Sequence, residues 1–216
     1  MKELNGIGGI ILKDISLVKS QIFIVAVVLA VYIFIALVSS SGSSIGVFTG
    51  TYSIVVMSLI PITILNFDEK SKWGRYASAM PVSRRANVLS KYIIMVGLSV
   101  INAAVLALVY WLSGESDRMI FMIVILAASL TTGSVVTALG YKFGSTNARF
   151  IFTAVVFISV ISAMAVAGGI SISVGDEFGS SSSGVVIAAV IFLAVSILIC
   201  VASFMISSHI YENKDL

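Results

Sequence analysis

The chain has 216 residues, of which 59% are hydrophobic and 11% charged, with a mean hydropathy of +1.12 and a formal net charge of +3. A soluble domain carries about 25% charged residues, so this composition excludes an aqueous fold and points to an integral membrane protein. The 13 basic residues form no face on which a nucleic acid would lie, so no nucleic-acid partner is expected.

Residues 1–20 come first. Leu4, Ile7, Ile10, Ile11, Ile15 and Val18 recur near helical spacing, with Lys2, Glu3, Lys13, Asp14 and Lys19 between them. This pattern predicts an amphipathic helix lying in the membrane interface, weakened in its first turns by Gly6, Gly8 and Gly9. Six charge-free apolar runs follow, at 22–38, 45–65, 92–112, 119–141, 150–174 and 185–208. Each is near the ~20 residues a helix needs to cross the hydrocarbon, and only helices satisfy every backbone group within such a segment. The predicted spans are therefore about 21–40, 45–66, 91–112, 119–141, 150–174 and 185–208 of one transmembrane domain, 1–216. Pro61 should kink the second. The first run lacks a small-residue cleavage site after it, so it reads as a retained span. Cys200, the single cysteine, sits inside an apolar run as an inert thiol.

Between the second and third spans lies the one long polar interval, 66–91, with Asp68, Glu69, Lys70, Lys72, Arg75, Arg84, Arg85 and Lys91. Asn66 followed three residues later by Glu69 resembles a capping box. Trp73, Tyr76, Ala77 and Met80 then share one helical face, and Pro81 ends the helix by forcing Met80 toward extended geometry. A short helix over 67–80 is the expectation. Its residues suit either an ordinary charged loop that fixes orientation or a docking element for a soluble partner.

The basic residues choose the orientation. Six crossings put both termini on one side. With that side cytoplasmic, Lys2, Lys13, Lys19, Lys70, Lys72, Arg75, Arg84, Arg85, Lys91, Lys142, Arg149 and Lys214 all lie inside, and only Arg118 lies outside. A bias of twelve to one predicts cytoplasmic termini and a cytoplasmic 66–91 interval. The outer loops are short, and 39–44 and 179–184 are rich in serine and glycine.

The six runs contain no Asp, Glu, Lys, Arg or His. Transporters that couple to protons or ions place ionisable groups in the membrane, so a proton relay, a voltage sensor and a charged-ring filter are all disfavoured. Asn102 lies mid-span, where a bond to a neighbouring helix or a substrate contact would satisfy it. Ser129, Gly133 and Thr137 share a face of the fourth span and permit close packing. The only histidine, His209, falls in the C-terminal tail, so an intramembrane Ser–His hydrolase has no base. Neither a metal-binding motif nor a P-loop is present. The expectation is a chain with no catalytic, metal or cofactor residues of its own.

A transporter with six spans, no energy-coupling chemistry of its own and one conspicuous cytoplasmic helix must receive work from a separate engine; a six-span scaffold that binds a partner without transport would show the same topology. Here the sequence resembles the ABC-2-type permeases, the membrane subunits of type V ABC exporters. The resemblance rests on the acidic pair Asp68-Glu69, the aromatic-basic Trp73-Gly74-Arg75-Tyr76, the string Met80-Pro81-Val82-Ser83-Arg84-Arg85, and Lys91. Among these the chain looks most similar to small Gram-positive permeases that export amphipathic peptides, such as the phenol-soluble modulin exporters. Immunity permeases look much the same, and a lipid or drug cargo fits the general family too.

The resemblance implies a bacterial plasma-membrane protein that is not itself an enzyme. Two copies of a cytoplasmic ATPase would bind ATP and Mg, and a second permease copy would complete the pathway. The helix at 67–80 would be the coupling helix seated on the ATPase. Phe67, Asp68, Glu69, Trp73, Arg75, Tyr76, Met80, Pro81, Arg84 and Arg85 would form that contact, with Trp73 and Tyr76 in an apolar groove and the arginines against partner charges. Residues 1–20 would be the connecting helix. Uncharged spans suit an apolar or amphipathic peptide.

Overall fold

The structure is a computed structural model that describes residues 7–38, 55, 59–79, 83–112, 119–175 and 183–213. The expectations at Met80 and Pro81, for the outer loops, and for most of the second run lie outside these residues. All the regular structure among the described residues is helical: α1 Ile7–Val38, α2 over 59–70, α3 Trp73–Ala79, α4 Arg84–Leu112, α5 Met119–Gly175 and α6 Ser183–Glu212. Three segments among the described residues are long and apolar enough to cross a membrane: Arg84–Leu108, Met122–Gly144 and Ala189–Glu212.

Helix boundaries differ from the sequence expectation in four places, each for a local reason. Of the amphipathic segment expected at 1–20, the described part, from Ile7 on, is continuous with the first span. α1 runs without interruption from Ile7 to Val38, and its 32 residues reach about 48 Å, well beyond the ~30 Å hydrocarbon. Its inward stripe is Ile7, Ile10, Asp14 and Val18, so Asp14 belongs to the buried face and not to the polar one. The helix start expected at Asn66 is also absent, because α2 passes straight through Asn66 and stops at Lys70. Ser71 closes its last turn, its N–H donating to the Phe67 carbonyl at 2.9 Å and its hydroxyl to the same carbonyl at 2.8 Å. Lys72 then turns the chain in the left-handed region, φ 53°, the conformation that usually ends a helix on glycine.

Third, α4 starts at Arg84, well before the expected edge of its span. Ser83 is its N-cap, the hydroxyl accepting from the Ala86 N–H at 3.2 Å. Fourth, the loop expected between the fourth and fifth spans is helical except at Gly144 (φ 79°, ψ 163°). Only glycine tolerates that backbone geometry.

α4 is the hub of the bundle, packing against α1, α3, α5 and α6. One core joins Leu65 of α2, Val88, Tyr92 and Met95 of α4, Leu130 and Tyr141 of α5, and Tyr211 of α6. A second joins Val18 of α1, Ile60 and Ile64 of α2, and Ile94 of α4. Lipid tails are as apolar as these side chains, so close packing and interhelical hydrogen bonds hold such helices together. α6 shows this as an inside-out pattern. It buries Ala189, Ser196, Ser203, Ser207 and Ser208 while exposing Ile187, Val190, Ile191, Leu198, Val201 and Met205. Three of these serines find partners on other helices: Tyr92 Oη lies 2.7 Å from Ser203 Oγ and 2.9 Å from Ser207 Oγ, and Thr131 donates to Ser196 Oγ at 3.0 Å. Ser203 also donates to the Ser134 carbonyl at 2.6 Å. The small face Ser129–Gly133–Thr137 is buried as the sequence suggested. Gly133 sits so close to α4 that a Cβ there would lie 2.7 Å from Met95 Sδ.

Candidate functional site

The charged end of the bundle, where α2 ends and α4 begins, holds a four-residue ion-pair network. Lys13 and Asp14 come from α1, Asp68 from the last turn of α2, and Lys91 from the second turn of α4 onward. Lys13 Nζ lies 2.8 Å from Asp14 Oδ1 and 2.7 Å from Asp68 Oδ1. Lys91 Nζ lies 2.7 Å from Asp68 Oδ2 and 4.0 Å from Asp14 Oδ2. The side chains of Lys91 and Asp14 are 1% and 0% exposed. Two ammonium groups and two carboxylates cancel in formal charge. Polar neighbours supply part of the hydrogen bonding that makes such burial tolerable, while Asp14 Oδ1 has no hydrogen-bond partner among the described residues and rests on its ion pair with Lys13. Lys91 donates to both the backbone and side-chain carbonyls of Asn87, each at 3.3 Å, and Ser90 donates to Asp14 Oδ2 at 3.1 Å. Asn87 is fixed in turn by donating to Tyr211 Oη at 3.0 Å.

This network fastens α3. Trp73 opens that helix, its indole N–H pointing at Asn87 Oδ1 at 3.4 Å, and Lys13 Nζ sits 4.1 Å from its ring centroid. The cation–π contact and the two aspartate pairs therefore share one ammonium group. Beside the network is a pocket of about 280 Å³, lined by residues of α2, the α2–α3 turn, α3, α4, Tyr141 and Tyr211.

The ten residues expected to form one partner-facing element divide three ways. Asp68 and Trp73 turn inward to the network. Phe67, Glu69, Arg75 and Tyr76 remain exposed, with Glu69 on the side of α2 next to Gly144. Arg84 and Arg85 bind the end of α6: Arg84 donates to the Glu212 carbonyl at 2.8 Å, and Arg85 pairs with the Glu212 carboxylate. Cations there also oppose the negative end of the α6 dipole. Met80 and Pro81 lie outside the described residues. Asn102 is buried midway along α4, far from this end in sequence.

The network residues Lys13, Asp14, Asn87 and Ser90, and the tyrosines 141 and 211, were not singled out by sequence. Asp14 offered a signal, standing seven residues from Ile7 and four from both Ile10 and Val18 in an otherwise apolar stripe. Lys91 offered another, lying directly against an apolar run.

A family model described as ABC-2 family transporter protein matches residues 9–212, which includes the whole network. The chain belongs to this family. No match was found among curated proteins or among solved structures. As an ABC-2 family member the chain is a membrane permease subunit of an ABC transporter, a class that works with a partner ATPase.

Proposed function

We propose that this permease exports amphipathic peptides across a bacterial plasma membrane, as a dimer of six-span subunits with cytoplasmic termini, each bound by one ATPase that holds the ATP and Mg. The chain itself carries no catalytic step in this reading. The observation that carries the proposal is the corner formed by α2, the Ser71–Lys72 turn and α3. Its outer side presents Phe67, Arg75 and Tyr76 to solvent, while its inner side is fixed by Asp68 and Trp73 to α1 and α4. A rigid corner with exposed aromatic and arginine groups suits a protein interface, and its rigid seat suits a lever that passes motion to the helices. The charge-free apolar runs, seamed by hydroxyls, favour an apolar or amphipathic cargo. An immunity or scaffold protein with the same corner would bind without export.

The test is copurification of the ATPase with tagged permease from its native host, together with mass spectrometry of secreted peptides. Phe67→Ala with Tyr76→Ala removes exposed side chains and leaves the network whole. Each aromatic anchor is worth about 2 kcal/mol at an interface, so association should fall by more than tenfold while membrane insertion is unchanged. ATPase capture and peptide secretion that both persist at wild-type levels in this double variant would refute the docking assignment. Capture without any permease-dependent secretion would favour the scaffold reading.

A further inference from the structure

The pocket beside the ion-pair network carries chemistry that the network does not use. Tyr141 forms part of its wall. The residue is 6% exposed, and its hydroxyl has no hydrogen-bond partner among the described residues. A buried phenol without a partner is costly and uncommon. Tyr211, edge-on to Tyr141 with ring centroids 5.6 Å apart, accepts from Asn87 and keeps its own proton to donate. Asp68 offers little to a cation, since its two oxygens already face Lys13 and Lys91 at 2.7 Å. Lys72 and Arg75 also line the pocket, both on its exposed side. The ionised lining groups are three basic (Lys72, Arg75, Lys91) and two acidic (Asp68, Glu69), a balance of 3 − 2 = +1. Leu65 and the Trp73 ring supply apolar wall.

We infer that this pocket binds the phosphate ester of an organic anion. Two buried phenols and two exposed cations line the same pocket, a set of several donors that matches the several acceptor oxygens of a phosphate better than the two of a carboxylate. The pocket lies where the long apolar segments of α4, α5 and α6 meet their charged ends, and basic pockets at such boundaries take lipid headgroups. A phospholipid headgroup and a soluble phosphate ester present this same group. The inference shares Arg75 with the ATPase-docking proposal but is tested separately from it, on the permease alone and in detergent, where either membrane face is accessible.

The chain has two tryptophans, and Trp111 is exposed on the outer stripe of α4. Trp111→Phe therefore leaves Trp73, in the pocket wall, as the sole indole reporter. The purified full chain carrying this change is titrated with dioctanoyl phosphatidylglycerol, dioctanoyl phosphatidylcholine and glycerol 3-phosphate. Phosphatidylglycerol should give a saturable change in Trp73 emission with a midpoint at least about tenfold below that of phosphatidylcholine. Lys72→Ala with Arg75→Ala should raise that midpoint about thirty-fold, since each surface cation contributes on the order of one decade or slightly less. Tyr141→Phe keeps the ring and should raise it about tenfold by deleting a hydrogen bond to a charged group. A response confined to phosphatidylglycerol assigns the site to a lipid headgroup, and an equal response to glycerol 3-phosphate assigns it to a soluble ester. Equal midpoints for the two lipids with no response to glycerol 3-phosphate, no saturable change with any probe, or midpoints unmoved in both variants would overturn the inference.

Discussion

Removing one ammonium from the buried network should expose how it is balanced. Lys91→Met keeps the length and apolar stem of the side chain but leaves Asp14 and Asp68 to share Lys13 alone, at 2.8 and 2.7 Å. The Asp14 side chain is fully buried, so water does not easily compensate it. Breaking a buried pair by deleting one partner costs about 3–5 kcal/mol, and for a chain of this size each 1 kcal/mol moves a melting midpoint by roughly 2–4 °C. Lys91→Met should therefore lower the thermal midpoint of the detergent-solubilised permease by roughly 6–20 °C, followed by circular dichroism or by exposure of Cys200 to a thiol dye. Asp68→Asn should be destabilising as well, because Lys91 then keeps only Asn87 and, at 4.0 Å, Asp14. The double variant retains the neutral Lys13–Asp14 pair and leaves no surplus charge. It should recover much of the loss, giving a favourable coupling of about 2 kcal/mol or more in the double-mutant cycle. Strict additivity of the two substitutions, or a Lys91→Met midpoint within a degree or two of wild type, would refute the claim that these charges are compensated only by one another.

Three further substitutions test local features by the same melting assay. Lys72→Gly relieves a side chain held at φ 53° and should stabilise by up to about 1 kcal/mol, less any gain in unfolded-chain entropy. Gly133→Ala places a methyl 2.7 Å from Met95 Sδ and should cost about 1–3 kcal/mol, with Met95→Val restoring most of it. Tyr92→Phe deletes the hydroxyl that meets Ser203 and Ser207 and should cost about 1 kcal/mol, the usual scale for an interhelical hydrogen bond in a membrane protein.

Local pattern was enough for three long apolar helices and for one helix–helix contact. The apolar runs at 92–112, 119–141 and 185–208 each fall within a helix, because length and hydropathy are properties of contiguous residues. The small face of α5 was legible for the same reason: Ser129, Gly133 and Thr137 recur at one-turn spacing, and Gly133 does bring α5 against Met95 of α4. The ion-pair network was not legible in this way. Lys13 meets Asp68 across 55 residues, and Ser90 meets Asp14 across 76, so nothing in a helical window links them. The helix boundary expected at Asn66 went astray for a related reason. A cap-like Asn and Glu pair favours a helix start only where the chain is otherwise free to begin one; here residues 59–65 were already helical, and Ile60, Ile64 and Leu65 held that helix in both cores.

The 66–91 interval thus does more than separate two apolar runs. Its charges do not form one solvated or partner-facing set. Asp68 and Lys91, near its two ends, close on each other at 2.7 Å, so the interval is pinned where it leaves α2 and again where it has become α4. Arg84 and Arg85 tie the same interval to the end of α6. What stays outside is the short corner bearing Phe67, Arg75 and Tyr76. A force applied to that corner would reach α1 through Asp68 and through Lys13 on the Trp73 ring, α4 through Lys91, and α6 through Asn87 and Tyr211. Apart from the cation–π contact at 4.1 Å, these links are short polar contacts between buried or half-buried groups, which resist being lengthened far more than an exposed pair does. If the corner is where an ATPase acts, the network is what would make its movement a movement of three helices together.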